Sequence, residues 1–200
     1  MLYRLLDEVN DLQFDYLKHV TGGLDRHAVL NELMAAYGKD VWNFAFFYTR
    51  SRELADDISQ DVFVKVFQQL YEFRGQSSIK TWLLAITRNT ARDVLRSAWI
   101  RRVTFFGGLV RPQEQTSPSA ERESFDKLMT EELWAVVLKL PQKLREVLLM
   151  NSHYGLSMQE MADMLHVSVG TVKSRLHRAR AAVNRSLTQE AKWTGEEEWT

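Results

Sequence analysis

Apolar positions recur along this chain at three- and four-residue intervals, the spacing that lines one face of an α-helix, and the strict alternation of a half-buried strand is absent. Residues 1–27 carry Leu2, Leu5, Leu6, Val9, Leu12, Phe14, Leu17 and Val20 and end at Gly22–Gly23, which reads as an N-terminal extension, packed rather than free. A second apolar stretch, 28–50, runs from Leu30 through Leu33, Met34, Tyr37, Val41 and Trp42 to the run Phe44–Tyr48. Aromatics at this density point to core. Gly38 is a weak point inside this stretch. Ser51 is placed to cap a helix over 52–72 whose stripe is Leu54, Ile58, Val62, Val66 and Leu70. The break at Phe73–Gly75 and the polar Gln76–Ser78 lead into a helix of about 79–100, capped by Ser78, with Ile79, Trp82, Leu83, Ile86, Val94 and Leu95 as its apolar set.

Periodicity is lost over 103–126. Two of the three prolines, Pro112 and Pro118, lie there, with Gly107, Gly108 and a polar run, so this is a linker. Beyond it, residues 127–188 resume with a helix ending at Leu140. Pro141 suits the first turn of the next helix, where its missing N–H is not needed. Leu144, Val147, Leu148 and Met150 follow.

The stretch Gly155–Val183 then predicts two short helices joined by a tight turn. Ser157 and Glu160 have capping-box spacing. Met158, Met161, Ala162 and Leu165 make one stripe, His166 and Val167 form the turn, and Ser168 caps the next helix with Thr171 three residues in. At ~100° per residue, Val169, Val172, Leu176, Ala179 and Val183 fall on one side of that helix and Ser174, Arg178, Ala181 and Arg185 on the other, flanked by Lys173, Arg175 and His177. From Thr171 to Arg185 there are five cations and no acid. One buried stripe opposite an uninterrupted basic face fits a major groove, where Arg and Lys read guanine edges or neutralise phosphates and the short Ser174 admits close approach. A solvated basic helix is the plainer alternative; the capped helix and turn before it favour a helix-turn-helix.

Charge changes the picture again. The 26 basic and 26 acidic residues cancel overall but are segregated. Arg74–Arg102 holds Arg74, Lys80, Arg88, Arg92, Arg96, Arg101 and Arg102 against Asp93 alone, a net of +6. Glu53–Asp61 holds Glu53, Asp56, Asp57 and Asp61 with no cation, a net of −4. Such patches imply two kinds of partner, a polyanion and a basic protein surface. Cations interleaved with Tyr71, Phe73 and Trp82 suit single-stranded nucleic acid, with Asn89 able to read a base edge; Trp82 is equally credible as core. Residues 189–200 form an acidic tail containing Glu196–Glu198.

Catalytic and metal chemistry find no constellation. There is no cysteine, so no disulfide or thiol nucleophile, as suits a reducing cytoplasm. GxxxxGK, GxGxxG and HExxH are missing, and the five histidines, His19, His27, His153, His166 and His177, lack ligand spacing. Asp56 and Asp57 diverge by about 100° on their helix and do not converge as a pair. No signal peptide and no run of ~20 apolar residues is found. The reading is therefore a chain with no enzyme activity of its own, no cofactor, no metal and no small-molecule substrate.

The order DDISQDVFVKVFQQL, FRGQSSIKTWLLAITRNTARDVLR, LPQKLREVLLM and GLSMQEMADMLHVSVGTVKSRLHRARAAV resembles regions two and four of bacterial RNA polymerase sigma factors, specifically the compact extracytoplasmic-function group. The resemblance implies an all-α fold: a helical bundle (region two, 28–102) and a helix-turn-helix domain (region four, 127–188), joined by a flexible linker. It implies that Asp56, Asp57, Gln60, Asp61 and Lys65 dock on the clamp helices of core RNA polymerase, and that region four meets the polymerase flap. Arg74 to Asn89, above all Gln76, Ser77, Ser78, Lys80 and Asn89, with Trp82 and Arg88 among them, would read the downstream promoter element where a base is flipped and the strands open. Arg92 and Arg96 would hold the backbone. Lys173, Ser174, Arg175 and Arg178, with Thr171 and His177 beside them, would meet the upstream element in duplex DNA. An anti-sigma partner, in many such proteins membrane-bound, would hold the factor inactive. The competing reading is a repressor or response regulator with a sensory first domain; such a domain has no reason to carry a net +6 segment beside an acidic helix. A nucleic-acid-processing enzyme would need a metal cluster or nucleophile.

Overall fold

The structure is a computed structural model that describes Phe14, residues 25–106 and residues 131–196, with side chains placed over 25–99 and 133–188. The described residues form helices and turns, in two compact units that divide between Gln115 and Thr116.

In the first unit, α1 spans Arg26–Thr49, α2 spans Arg52–Gln69 and α3 spans Ile79–Phe106, and each packs on the other two. The start of α1 is set by Asp25, whose carboxylate accepts from the backbone N–H of His27 and Ala28, so the helix begins two residues before the expected boundary at 28. It ends at Arg50 in the left-handed region at φ 59°, with the Arg50 N–H returned to the Phe46 carbonyl. Ser51 caps α2 as its sequence position predicts, through a 3.3 Å bond from Leu54 N. After Gln69 the chain tightens into a 3₁₀ turn, Leu70–Glu72, so the second helix is shorter than the expected 52–72. Ser78 caps α3 by accepting from Thr81 N at 3.1 Å.

Leu33, Val41 and Ala45 of α1, Ala55, Ile58, Val62 and Val66 of α2, and Leu83 and Leu84 of α3 close the core. Phe14 is buried there against Tyr37, at 5.8 Å between ring centroids; the rest of 1–24 lies outside the described residues. Gly38 does not break α1, and a Cβ there would meet nothing within 4 Å.

Two expectations are corrected. The buried positions of α3 are Ile79, Lys80, Thr81, Leu83, Leu84, Thr87, Arg88, Thr90 and Ala91; of the expected apolar set Ile79 and Leu83 are buried, whereas Trp82, Ile86, Val94 and Leu95 are only half-buried. Apolarity alone misplaced part of the stripe because this helix buries three threonines and two cations. The helix also runs through Phe106, past the expected linker start at 103; residues 107–130, most of that linker, lie outside the described residues.

In the second unit, α4 spans Glu131–Lys139, α5 Gln142–Ser152, α6 Met158–Leu165 and α7 Val169–Glu196, with α7 packing on the other three. Val136, Val137, Val147, Leu149, Met150, Leu156, Met161, Ala162, Val172, Leu176 and Ala179 are buried between them. Pro141 opens α5. The capping box at Ser157 is complete: its side chain accepts from Glu160 N at 3.2 Å, and Glu160 accepts from Ser157 N at 2.9 Å. α7 continues to Glu196, so most of the expected 189–200 tail is helical and residues 197–200 lie outside the described set.

Candidate functional site

In the second unit the turn decides the site. His166 takes φ 54°, the left-handed conformation that ends α6, and its N–H returns to the Ala162 and Asp163 carbonyls. Val167 N then donates to Ala162 O at 3.1 Å, and Ser168 receives Thr171 N at 3.1 Å. Two helices are thereby joined across a three-residue turn with both ends capped. With Val172, Leu176 and Ala179 buried, the opposite arc of α7 is outward: Gly170, Lys173, Ser174, His177, Arg178 and Arg185 are all exposed. Arg178 Nε donates to the Ser174 carbonyl at 3.3 Å and Arg185 Nε to that of Ala181 at 3.3 Å, so both side chains are laid back along the helix.

Arg175 and Thr171 depart from that face. The Arg175 side chain is 16% exposed and its Nη1 lies 3.9 Å from the carboxylate of buried Glu146, so it serves the packing of α7 on α5. The Thr171 hydroxyl is 2.9 Å from that of Ser168, inside the cap. Sequence reading missed the charges beneath. Arg145 is 4% exposed and donates Nη1 to the carbonyls of Leu138 and Leu140 at 3.0 and 3.1 Å, closing the C-terminal end of α4. Arg180 bonds Asn151 Oδ1 at 2.8 Å, while Asn151 Nδ2 donates to Leu156 O at 3.2 Å, tying α7 to the loop before α6. The signal was available: Arg145 and Glu146 stand one turn before Leu149 and Met150, on the core face of α5.

In the first unit, Asp56, Asp57, Gln60 and Asp61 are exposed on α2, as is Val64. Trp42 Nε1 donates to Asp56 at 2.6 Å, and its ring stacks on Phe46 at 5.4 Å and 8°, so the aromatic shelf on the outer side of α1 steadies the acidic face. Lys65 is set apart from that face: its Nζ donates to Thr90 Oγ1 at 2.8 Å and joins α2 to α3.

The basic segment divides in the same way. Lys80 and Arg88 were read among the surface cations; both are buried, at 7% and 8% exposure, and Lys80 Nζ faces Asp40 at 3.6 Å. Of the three aromatics, Phe73 is core, and Tyr71 has one face covered by the Arg26 guanidinium at 4.0 Å. Trp82 is half-buried, its ring 5.2 Å from that of Phe73. Exposed are Arg74, whose Nη1 donates to Tyr71 O at 2.7 Å, Gln76, Asn89, Arg92 and Arg96; Ser77 and Ser78 are half-buried in the loop before α3.

Two family models match these two units: "Sigma-70 region 2" over residues 33–101 and "Sigma-70, region 4" over 130–183. The RNA polymerase sigma factor YlaC of Bacillus subtilis is 31% identical over 160 residues, covering 80% of this chain and 92% of the relative. The chain belongs to the extracytoplasmic-function group of RNA polymerase sigma factors. The ECF sigma factor SigC of Mycobacterium tuberculosis is 32% identical over 77% of this chain and 80% of its own length, and the ECF sigma-E factor of Escherichia coli 30% identical over 78% and 85%. Among solved structures, the sigma factor RpoE in complex with the anti-sigma factor NepR from Bartonella quintana has the same fold, with a TM-score of 0.67, 23% identity, and coverage of 79% of this chain and 96% of that one. CnrH, in complex with the cytosolic domain of CnrY, gives a TM-score of 0.56 at 23% identity, covering 92% and 98%. The acidic α2 and most of the basic α3 thus lie in sigma region two, and the capped helix pair in region four. As a sigma factor the chain is a transcription initiation factor.

Proposed function

We propose that this sigma factor uses three separate faces. The acidic face of α2, Asp56, Asp57, Gln60 and Asp61, docks on the clamp helices of core RNA polymerase. The loop before α3 and its exposed positions, from Arg74 and Gln76 through Asn89, Arg92 and Arg96, engage the downstream promoter element and hold the opened strand. The outward face of α7, Lys173, Ser174, His177 and Arg178, enters the major groove of the upstream element, and region four also meets the polymerase flap. Lys80, Arg88, Lys65 and Arg175 support these faces from behind rather than touching DNA or polymerase. The chain carries out no chemistry itself, works in the cytoplasm where core polymerase is, and is restrained by an anti-sigma protein, a reading supported by the complex of the same-fold sigma factor RpoE with the anti-sigma factor NepR. Among the described residues no helix is long and apolar enough to cross a membrane; the anti-sigma partner would be what holds the factor at the inner membrane face.

One observation carries this reading: an outward arc on α7 that holds no acid from Thr171 to Arg185, directly opposite the buried stripe and behind a turn capped on both sides. The test is reconstitution with core polymerase and run-off transcription from genomic fragments. Discrete promoter-dependent transcripts that vanish without the chain are expected. Tight duplex binding as a dimer, with no association with core enzyme, would turn the reading toward a repressor.

A further inference from the structure

The α3 helix carries an exposed face that extends well past Asn89. At ~100° per residue, Asn89, Arg92, Arg96 and Trp99 fall within an arc of about 80°, and all four are exposed. Trp99 is 65% exposed, the most of any large apolar side chain among the described residues. A single exposed hydrophobic residue needs no explanation. An indole presented in line with two guanidinium groups and an amide is a different case, because a solvated strand offers phosphates to the cations and a π-face to the ring. Asp93 stands about 40° beyond the arc, and its carboxylate accepts from Arg92 at 3.3 Å, which draws that guanidinium around the helix toward its neighbour. Among the described residues Arg96 has no acidic partner, and it is the cation one turn before Trp99.

We propose that Trp99 is a stacking platform for promoter DNA, a base-contacting position at the far end of the same strand path. This rests on the reading of region two as the downstream-element surface and adds a position to it. The helix rises ~1.5 Å per residue, so Trp99 stands ~15 Å along α3 from Asn89. That distance corresponds to about four nucleotide steps at the ~3.4 Å rise of a strand still stacked as in the duplex, and to fewer where the opened strand is extended. Trp99 therefore meets a base at most about four nucleotides from the one at Asn89, with Arg92 and Arg96 holding the phosphates between. Stacking tolerates any base, so this contact adds affinity for the exposed strand and little sequence preference.

The test uses the holoenzyme and a promoter fragment obtained from the run-off assay, with one abasic site moved nucleotide by nucleotide. Open complexes are measured for the wild type, Trp99→Ala, Trp99→Phe and Asn89→Ala. Trp99→Ala should lose open complexes at least about five-fold on intact promoter, the scale of losing one base–aromatic stack, while Trp99→Phe keeps most of them. At one or two adjacent positions, about two to four nucleotides from the site where Asn89→Ala becomes indifferent, an abasic site should weaken the wild type and leave Trp99→Ala no worse. Equal open-complex formation by Trp99→Ala and wild type, or equal abasic losses at every position, overturns the assignment. A loss of core-enzyme affinity by Trp99→Ala without DNA also overturns it, since the face would then be a protein contact. If Asn89→Ala is as proficient as the wild type, the region-two reading itself fails; if only Asn89→Ala is defective, that reading stands and the stacking platform alone falls.

Discussion

Lys80 is where position in the sequence and position in the fold assign different work to one residue, and Asp40→Ala separates them. The lysine is 7% exposed, and its Nζ lies 3.6 Å from an Asp40 carboxylate whose side chain is 28% exposed. At an effective dielectric of ~20 the bare attraction at that distance is about 5 kcal/mol. The measurable loss is smaller, because Asp40 keeps water and the lysine can relax toward it. Truncating one partner of a fully buried pair costs about 3–5 kcal/mol, so about 1–3 kcal/mol is expected here. For a unit of this size each kcal/mol moves the melting midpoint by about 4–8 °C. Asp40→Ala should therefore lower the melting transition of the first unit by roughly 5–20 °C. Lys80→Met together with Asp40→Ala should recover much of the loss, because it removes the stranded cation and keeps the apolar stem. Salt dependence of promoter binding supplies the second readout. A lysine that neutralises a phosphate contributes about 0.7–0.9 to the logarithmic salt slope, whereas a lysine behind the surface contributes nothing. Lys80→Met holoenzyme should keep the wild-type slope. A slope reduced by nearly one, with the melting point of Asp40→Ala unchanged, would refute the structural role and return Lys80 to the DNA-facing set.

Other outcomes follow from the same geometry. Arg178→Ala should weaken binding at the upstream element by about 1–3 kcal/mol if the guanidinium reads a base, measured as promoter affinity across base-substituted sites; unchanged selectivity removes Arg178 from the recognition face. Asp61→Arg should impair association with core polymerase while leaving the circular-dichroism melt in place, since the residue is exposed; undiminished affinity would mean the acidic face docks elsewhere. Gly38→Ala should stabilise the first unit by about 0.5–1 kcal/mol, as a Cβ there meets open space within a helix. Gly155→Ala should instead destabilise the second unit in thermal unfolding, because φ is +70° there.

Much of the architecture follows from local rules that act over a few residues. The caps at Ser51, Ser78, Ser157 and Ser168 need only a side-chain oxygen three residues before an unpaired N–H, so the sequence places them and the fold uses them. The α7 stripe and its outward cations are also local, because Val172, Leu176 and Ala179 recur at helical spacing with no polar residue among them. The family likeness was readable for the same reason: its signature is four short amphipathic stretches in order.

What required the tertiary structure is the fate of the charges. Nothing in the local sequence distinguishes Lys80 and Arg88 from Arg92 and Arg96, since all are cations on one helix. The packing of α1 and α2 against α3 decides that the first two turn inward, where Asp40 waits for Lys80, and that the last two remain in water. Lys65 and Arg175 are likewise drawn off their expected faces by Thr90 and Glu146, which lie 25 and 29 positions away in sequence. The extension of the strand face to Trp99 became visible only once burial had removed its competitors. A helix states its own periodicity, but which arc of it faces water is a property of its neighbours.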